Sequence, residues 1–216
     1  MCGRFSLAVK KGDLVIRFNV DAVDLIRPRY NCAPSQKLAV ISNADPSTLD
    51  FYRWGLIPSW ARDTTISSKT INAKAETIAE KPSFRQAFRK QRCLVPADSF
   101  YEWQRDFQKT PYRIMMKDES PFAMAGIWDV WFDGKGEEIR SFSVITTIAN
   151  ELVAPIHHRM PVILPRGTEQ QWLEGGSTDS MMELLKPYPS EEMKAYKISD
   201  LVNRPANDSA DIWKAV

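Results

Sequence analysis

Cys2 directly follows the initiator Met1, and a small side chain at position two normally allows that methionine to be removed. The mature chain would then begin with a cysteine, whose α-amine and thiol sit two carbons apart with ordinary pKa values near ~7.7–8.0 and ~8.5. Both groups are nucleophilic near neutral pH. With an aldehyde, the amine forms an imine and the thiol can then close a five-membered thiazolidine on the same carbon, which an internal cysteine cannot do. The bland alternative is an inert residue on a frayed terminus, and position two alone does not displace it.

Other residues offer chemistry in their own local settings. In Ser99-Phe100-Tyr101-Glu102-Trp103 a carboxylate stands among large aromatics. Burial there would raise its pKa and suit it to general acid catalysis, whereas plain strand alternation would turn Glu102 to solvent. The only two histidines, His157 and His158, lie between Pro155 and Pro161 in a loop that leads into the apolar run Val162–Leu164. An imidazole titrates near neutrality, and of two adjacent side chains on an extended chain only one reaches a given site. A hydrogen-bonded structural histidine is the competing reading. Trp54 and Trp60, beside Gly55 and Pro58, could form a stacking platform for unpaired bases, while Trp103, Trp128 and Trp172 read as core. Arg85, Arg89, Lys90 and Arg92 crowd one short helical stretch and, with Arg4 and Lys74, could meet phosphates, unless they form only a solvated face.

Short runs rich in β-branched and aromatic residues must position these groups. They are Leu38–Ile41, Leu49–Trp54, Cys93–Trp103, Tyr112–Met116, Phe122–Phe132, Phe142–Ile148 and Val162–Leu164. Helical patterns are fewer: Leu14–Phe18, Ser83–Arg92 behind Pro82 with Phe84 and Phe88 four apart, Glu169–Leu173 and Met181–Leu185. Gly134 and Gly136 mark a hairpin turn, and Gly175-Gly176 a helix end. The expected fold class is α+β, a curved, barrel-like, largely antiparallel sheet with peripheral helices, in a single domain over residues 1–216.

Composition narrows the function. A 44% hydrophobic content supports a substantial core, and the net charge of +2 confines any nucleic-acid site to a local patch. Cysteines at 2, 32 and 93 form no Cys-x-x-Cys pair, so no metal site is expected and no cofactor is indicated. The odd cysteine count and the lack of a signal-peptide pattern suggest a reducing, cytoplasmic compartment, and no apolar run reaches the ~20 residues of a membrane span.

In order along the chain, Met1-Cys2-Gly3-Arg4-Phe5, Tyr30-Asn31-Cys32-Ala33-Pro34, Trp54-Gly55-Leu56-Ile57-Pro58-Ser59-Trp60, Asn72-Ala73-Lys74-Ala75-Glu76, Pro82-Ser83-Phe84-Arg85, Ala97-Asp98-Ser99-Phe100-Tyr101-Glu102-Trp103 and Ile156-His157-His158-Arg159-Met160-Pro161 resemble the SRAP family. These are the SOS-response-associated peptidase-like proteins that process abasic sites in single-stranded DNA. The motifs extend over roughly three quarters of the chain, and the last fifty residues are much less distinctive. The resemblance implies that Cys2, freed of Met1, crosslinks to the ring-opened aldehyde of an abasic deoxyribose as a thiazolidine and so shields the lesion. It assigns a sugar contact to Asn72, proton transfer to Glu102 and a proton-transfer or sugar-binding imidazole to His157. Phosphate contacts would fall on Arg4, Lys74, Arg85 and Arg159, and Asn31, Pro34, Trp54 and Trp60 would shape the groove for the strand.

Two departures from the family pattern stand out. His158 occupies a position where an aspartate is usual, which removes a carboxylate from the loop. Lys74 replaces an arginine, keeping the charge but losing the bidentate fork, so weaker DNA binding is expected rather than lost chemistry. A weak abasic-site lyase activity would accompany crosslinking. The alternatives are a cysteine-type peptidase or autopeptidase acting on its own first peptide bond, and a non-catalytic single-strand binder. The expected partner is single-stranded DNA containing abasic sites, bound by a monomer that is nucleoid-associated when on DNA, with no membrane partner.

Overall fold

Alternation of apolar side chains along the longest strands sends successive residues into two different cores, and the strands close on themselves between those cores. The computed structural model describes residues 2–21, 26–105 and 107–216; Met1, whose removal is expected from the sequence, lies outside them. In chain order the elements are β1 (Arg4–Leu7), α1 (Lys11–Phe18), β2 (Arg29–Cys32), β3 (Lys37–Ser42), β4 (Asp45–Trp54), β5 (Asn72–Lys74), α2 (Arg85–Lys90), β6 (Arg92–Ala97), β7 (Ser99–Trp103), β8 (Pro111–Met116), β9 (Phe122–Phe132), β10 (Glu138–Ile148), β11 (Arg159–Pro161), β12 (Ile163–Leu164), α3 (Glu169–Glu174), α4 (Thr178–Glu183) and β13 (Met193–Lys197).

Strands β10, β4, β3, β6 and β9 pair in that order, and β9 pairs back onto β10, which closes a barrel. All of these pairings are antiparallel except β4 with β10, which is parallel, as is the added strand β5 with β10. A second sheet, ordered β13-β8-β7-β1-β2, is antiparallel throughout. The expected α+β class with a barrel-like sheet and peripheral helices is therefore the observed one.

Along the barrel strands, Val40, Val95, Met124 and Val144 face a core that also takes Phe5 and Phe100 from the second sheet. Their neighbours Ile41, Leu94 and Ala125 face the opposite core, which is capped by Phe88 of α2, Trp172 of α3 and Met181 of α4. Strands buried on both faces lose the polar/apolar alternation of a half-exposed strand, which is why β9 reads as a nearly continuous apolar run. Each large apolar side chain taken from water in this way contributes roughly 1.5–3 kcal/mol.

The run expected as one strand over Cys93–Trp103 is two strands in different sheets. The chain breaks at Asp98, whose buried carboxyl accepts hydrogen bonds from Ser6 Oγ and the Ala8 N–H at 2.5 Å each, while its own N–H donates to Ser6 O. The basic helix is also shorter than expected. Arg92 opens β6 and is 5% exposed, with Nε donating to Trp172 O at 2.7 Å and Nη1 to Phe88 O and Arg89 O at 3.0 and 2.9 Å. It ties together the carboxyl ends of two helices and is not available to a phosphate. Strands β1, β2, β5, β11 and β13, of three to five residues each, were not expected, because each is held by pairing with a strand elsewhere in the chain.

Candidate functional site

Pairing of β1 with β7 brings the amino terminus to the aromatic-flanked carboxylate. Arg4 lies opposite Tyr101 and Phe5 opposite Phe100, so extending the register sets Gly3 opposite Glu102. Strand alternation points Glu102 to the same side as Phe100, into the core that holds Cys2, whereas Tyr101 points the other way, towards Ile198, Val202 and Ile212 of the carboxy-terminal segment. Glu102 is 3% exposed, and burial pushes its carboxyl up from the ordinary 4.5 to about 7.

Cys2 is fully buried, and its Sγ lies 3.8 Å from the carbonyl oxygen of Arg4. Burial, reinforced by the negative charge of Glu102, pushes the thiol well above its ordinary range, so at rest it is a neutral thiol. Asn72 holds the same residue from the barrel. Strand β5, laid parallel to β10 with Asn72 beside Val144, directs the amide Nδ2 to donate to the Cys2 carbonyl at 2.7 Å. Asn72 Oδ1 is buried and has no hydrogen-bond partner among the described residues. A buried amide oxygen in that state is available to a donor such as a sugar hydroxyl.

His157 reaches the cluster from the loop between β10 and β11. A turn fixed by Asn150 Oδ1 accepting from the Val153 N–H at 3.0 Å, and by the His157 N–H donating to Val153 O at 2.9 Å, turns the imidazole inward. Its Nδ1 lies 3.9 Å from Glu102 Oε1, 3.0 Å from the backbone N of Arg159 and 3.2 Å from Arg159 O. Burial drives its pKa from 6.5 down to about 4. With the carboxyl titrating at about 7 and the imidazole at about 4, near neutral pH a large share of the Glu102 carboxyls keep their proton and face a neutral imidazole, a proton donor beside a proton acceptor. His158 points outward, with its ring tilted at 35° against that of His157 and 4.5 Å between centroids.

The residues expected at a nucleic-acid strand divide into exposed and supporting ones. Trp60 is 55% exposed, Lys74 and Arg85 are exposed and Pro34 is half-buried, so these four present surface. Trp54, expected beside Trp60 in the groove, is instead core. It is 1% exposed, stacked on Phe142, and its Nε1 donates to Ile71 O at 2.9 Å. The two tryptophans part at Gly55, whose φ of +118° and Cβ position, 2.6 Å from Ser67 O, admit no side chain.

Asn31 is likewise fully buried. Its Nδ2 donates to the carbonyls of Val202, Arg204 and Asn207, and its Oδ1 accepts from Arg4 Nη1 at 2.8 Å. Arg159, expected at a phosphate, is 6% exposed and committed to a bidentate pair with Glu76 at 2.6 and 2.9 Å, which holds the Glu76 carboxyl below its ordinary range. Arg4 is half-buried and also donates to Val202 O and Asn203 O. Asn31 and Trp54, fully buried, build the floor, and Arg159 is buried beside them with its Nη groups on Glu76 and Thr146 O while its Nε has no hydrogen-bond partner among the described residues.

Sequence reasoning missed two contributors. Arg105, in the hairpin between β7 and β8, places Nη2 3.4 Å from His157 Nε2. Asp208, in the segment after β13, accepts from the Tyr30 and Asn31 N–H groups at 2.5 and 2.9 Å and from Arg29 Nε at 2.6 Å, which anchors β2 beside β1. Neither lies in a motif. An acidic residue near the end of a chain gives no local sign of capping a strand far before it.

A cavity of about 630 Å³ lies away from this cluster, lined by residues that include Arg17, Ile41, Asn43, Leu94 and Glu169 and by no cysteine or histidine among those described. The candidate cluster lies instead beside the exposed Lys74, which shares strand β5 with Asn72.

A family model described as SOS response associated peptidase (SRAP) matches residues 1–205. The chain is 45% identical over 220 residues to the abasic site processing protein YoqW of Bacillus subtilis, covering 98% of each chain. It is 33% identical to the abasic site processing protein HMCES of Xenopus tropicalis, over 89% of this chain and 68% of that one. A crystal structure of a protein from Bacteroides thetaiotaomicron superposes with a TM-score of 0.91 at 35% identity, covering 100% of both chains.

Proposed function

The chain belongs to the SRAP family, and from that premise we propose that it processes abasic sites in single-stranded DNA by joining Cys2, once Met1 is gone, to the lesion as a thiazolidine. The observation that carries this reading is the 2.7 Å hydrogen bond from Asn72 to the Cys2 carbonyl, which fixes the amino-terminal residue against Glu102, with His157 3.9 Å beyond.

The α-amine adds to the C1′ aldehyde carbon and gives a carbinolamine. Glu102, carrying its proton near neutral pH, protonates the departing hydroxyl, which leaves as water and yields the iminium. The resulting carboxylate then takes the proton of the Cys2 thiol as sulfur adds to C1′ and the C=N electron pair returns to nitrogen. The sum is aldehyde plus aminothiol to thiazolidine plus one water. With both nucleophiles on one residue the second step is intramolecular, for which effective molarities of ~10⁵–10⁸ M are attainable, so the thiol needs no prior ionisation. The proton for opening the sugar at its ring oxygen comes from His157, and Asn72 Oδ1 accepts a sugar hydroxyl.

Before the ring closes, the iminium acidifies the C2′ protons, so elimination of the 3′ phosphate competes as a weak lyase reaction. A thiol peptidase is disfavoured by the same groups, since its nucleophile needs a lowered thiol pKa beside an imidazolium, whereas burial here raises the thiol and lowers His157.

The test mixes the processed protein with oligonucleotides that do or do not contain one abasic site and resolves the products on a denaturing gel. A band shifted only with the abasic strand, and absent for Cys2→Ala, is expected. No shift with correctly processed protein would overturn the reading, and binding that is lost in denaturant would point to a non-catalytic single-strand protein.

A further inference from the structure

Opening the sugar requires a proton on His157, yet burial holds that imidazole neutral in the free protein. The groups facing the ring are Glu102 from β7, Arg105 from the β7–β8 hairpin, His158 tilted against it, the backbone of Arg159 from β11, and the amino-terminal end of the chain. Arg105 is the one whose position a bound strand can change. It is exposed, and among the described residues its guanidinium has no carboxylate within ion-pair distance; its contact is the 3.4 Å approach to His157 Nε2. That contact is long for a hydrogen bond and joins a cation to a neutral ring, a partner that a guanidinium readily exchanges for a phosphate.

The contact also decides where the ring hydrogen sits. A guanidinium only donates, so with Arg105 on Nε2 the hydrogen of the neutral imidazole must be on Nδ1, where Arg159 O at 3.2 Å accepts it. Without Arg105, Nε2 can carry the hydrogen while Nδ1 accepts from the Arg159 N–H at 3.0 Å. With the hydrogen on Nδ1 the Arg159 N–H loses its acceptor, so Arg105 and this N–H compete for the one lone pair that a neutral ring presents.

We propose that Arg105 is a phosphate-binding residue whose transfer from the His157 ring to a phosphodiester of the bound strand frees Nε2 and lets that imidazole take up a proton from water. The sugar-opening acid is thus more abundant when DNA is present. Neutralising a cation a few ångströms from the ring should raise its pKa by about one unit, or roughly tenfold more imidazolium at a given pH. This step rests on reading the cluster as a DNA site, and its test does not depend on crosslinking.

The chain's two histidines give two sets of ring signals in long-range ¹H–¹⁵N spectra, assigned with His158→Gln. The wild type and Arg105→Gln are titrated free, with an undamaged single-stranded oligonucleotide, and with inorganic phosphate. In the free wild type the neutral ring should carry its hydrogen on Nδ1, and the oligonucleotide should move the His157 pKa up by about one unit. In Arg105→Gln the free value should already be raised, and the strand should add less than half that shift. A wild-type shift with inorganic phosphate as well would support a site for phosphate groups in general. The proposal is overturned if the strand leaves His157 of the wild type unmoved, if it moves both proteins equally, or if Arg105→Gln leaves the free pKa and tautomer unchanged. A protein that still crosslinks abasic DNA after any of these results keeps its proposed function and loses only the role of Arg105.

Discussion

The Glu102 carboxyl titrates near 7 in the folded protein against an ordinary 4.5, so between those values the folded protein retains a proton that the unfolded chain releases. Below about 4.5 both states are protonated and the group is neutral to stability. As pH rises from about 4.5 to about 7 the unfolded chain ionises while the folded one does not, and stability is lost at ~1.4 kcal/mol per pH unit. Two and a half units give a loss of about 3 kcal/mol, constant above pH 7.

Glu102→Gln keeps the shape and cannot ionise, so the variant should gain on the wild type by about that amount between pH 4.5 and 8. His157 titrates with the opposite sign. Its pKa is lowered to about 4, so its contribution is fully present above about 6.5 and is lost as pH falls towards 4. That loss is shared by both proteins and cancels in their difference. Urea unfolding followed by tryptophan fluorescence at half-unit pH steps measures this difference. A difference that stays flat within about 0.5 kcal/mol across the range would refute the burial of an un-ionised carboxyl and, with it, the acid role of Glu102. In crosslinking, the same variant should be slower by a factor of roughly 10²–10⁴, the usual range for a lost general acid.

Other substitutions separate the remaining roles. Cys2→Ser keeps the amine but should not close a stable thioether ring, so borohydride-trappable imine and strand scission should rise while the denaturant-stable adduct falls; an undiminished adduct would move the nucleophile elsewhere. Trp60→Ala should weaken strand binding by about 1–3 kcal/mol in a fluorescence titration with little change in unfolding, whereas Trp54→Ala should lower stability by about 3–5 kcal/mol, and the reverse pattern would contradict their placement. Asp208→Ala strands the backbone N–H groups of Tyr30 and Asn31 and should lower stability by roughly 2 kcal/mol in the same urea assay; an unchanged midpoint would show that β2 does not depend on it.

Much of the barrel was legible because its strands are long. Phe122–Phe132 was read with the bounds it has in the fold, and the Gly134/Gly136 turn joins it to β10 as expected. The three-residue β5, which carries Asn72, was not legible as a strand, because its pairing with β10 is parallel and comes from a partner some seventy residues away. The break at Asp98 was hidden for a similar reason, since nothing local in an apolar run shows that a carboxyl will be bonded by Ser6 and Ala8. At the site, Asn72, Glu102 and His157 were named from sequence and lie together with Cys2, while Arg105 and Asp208 were not named because their partners are set by loop geometry.

The sequence by itself determined which functional groups exist and where the chain must bend. A cysteine stands at position two, the imidazoles are confined to one proline-bounded loop, and Gly55 turns one tryptophan inward and the other out. The tertiary structure decided the state of those groups. Glu102 keeps its proton and His157 lacks one because each is desolvated by residues far away in the chain. Arg92 and Arg159 are spent on the fold while Arg85 and Lys74 are not, because pairing depends on which carbonyls and carboxylates come within reach. Burial and charge are sums over neighbours in space, and no short stretch of sequence contains them.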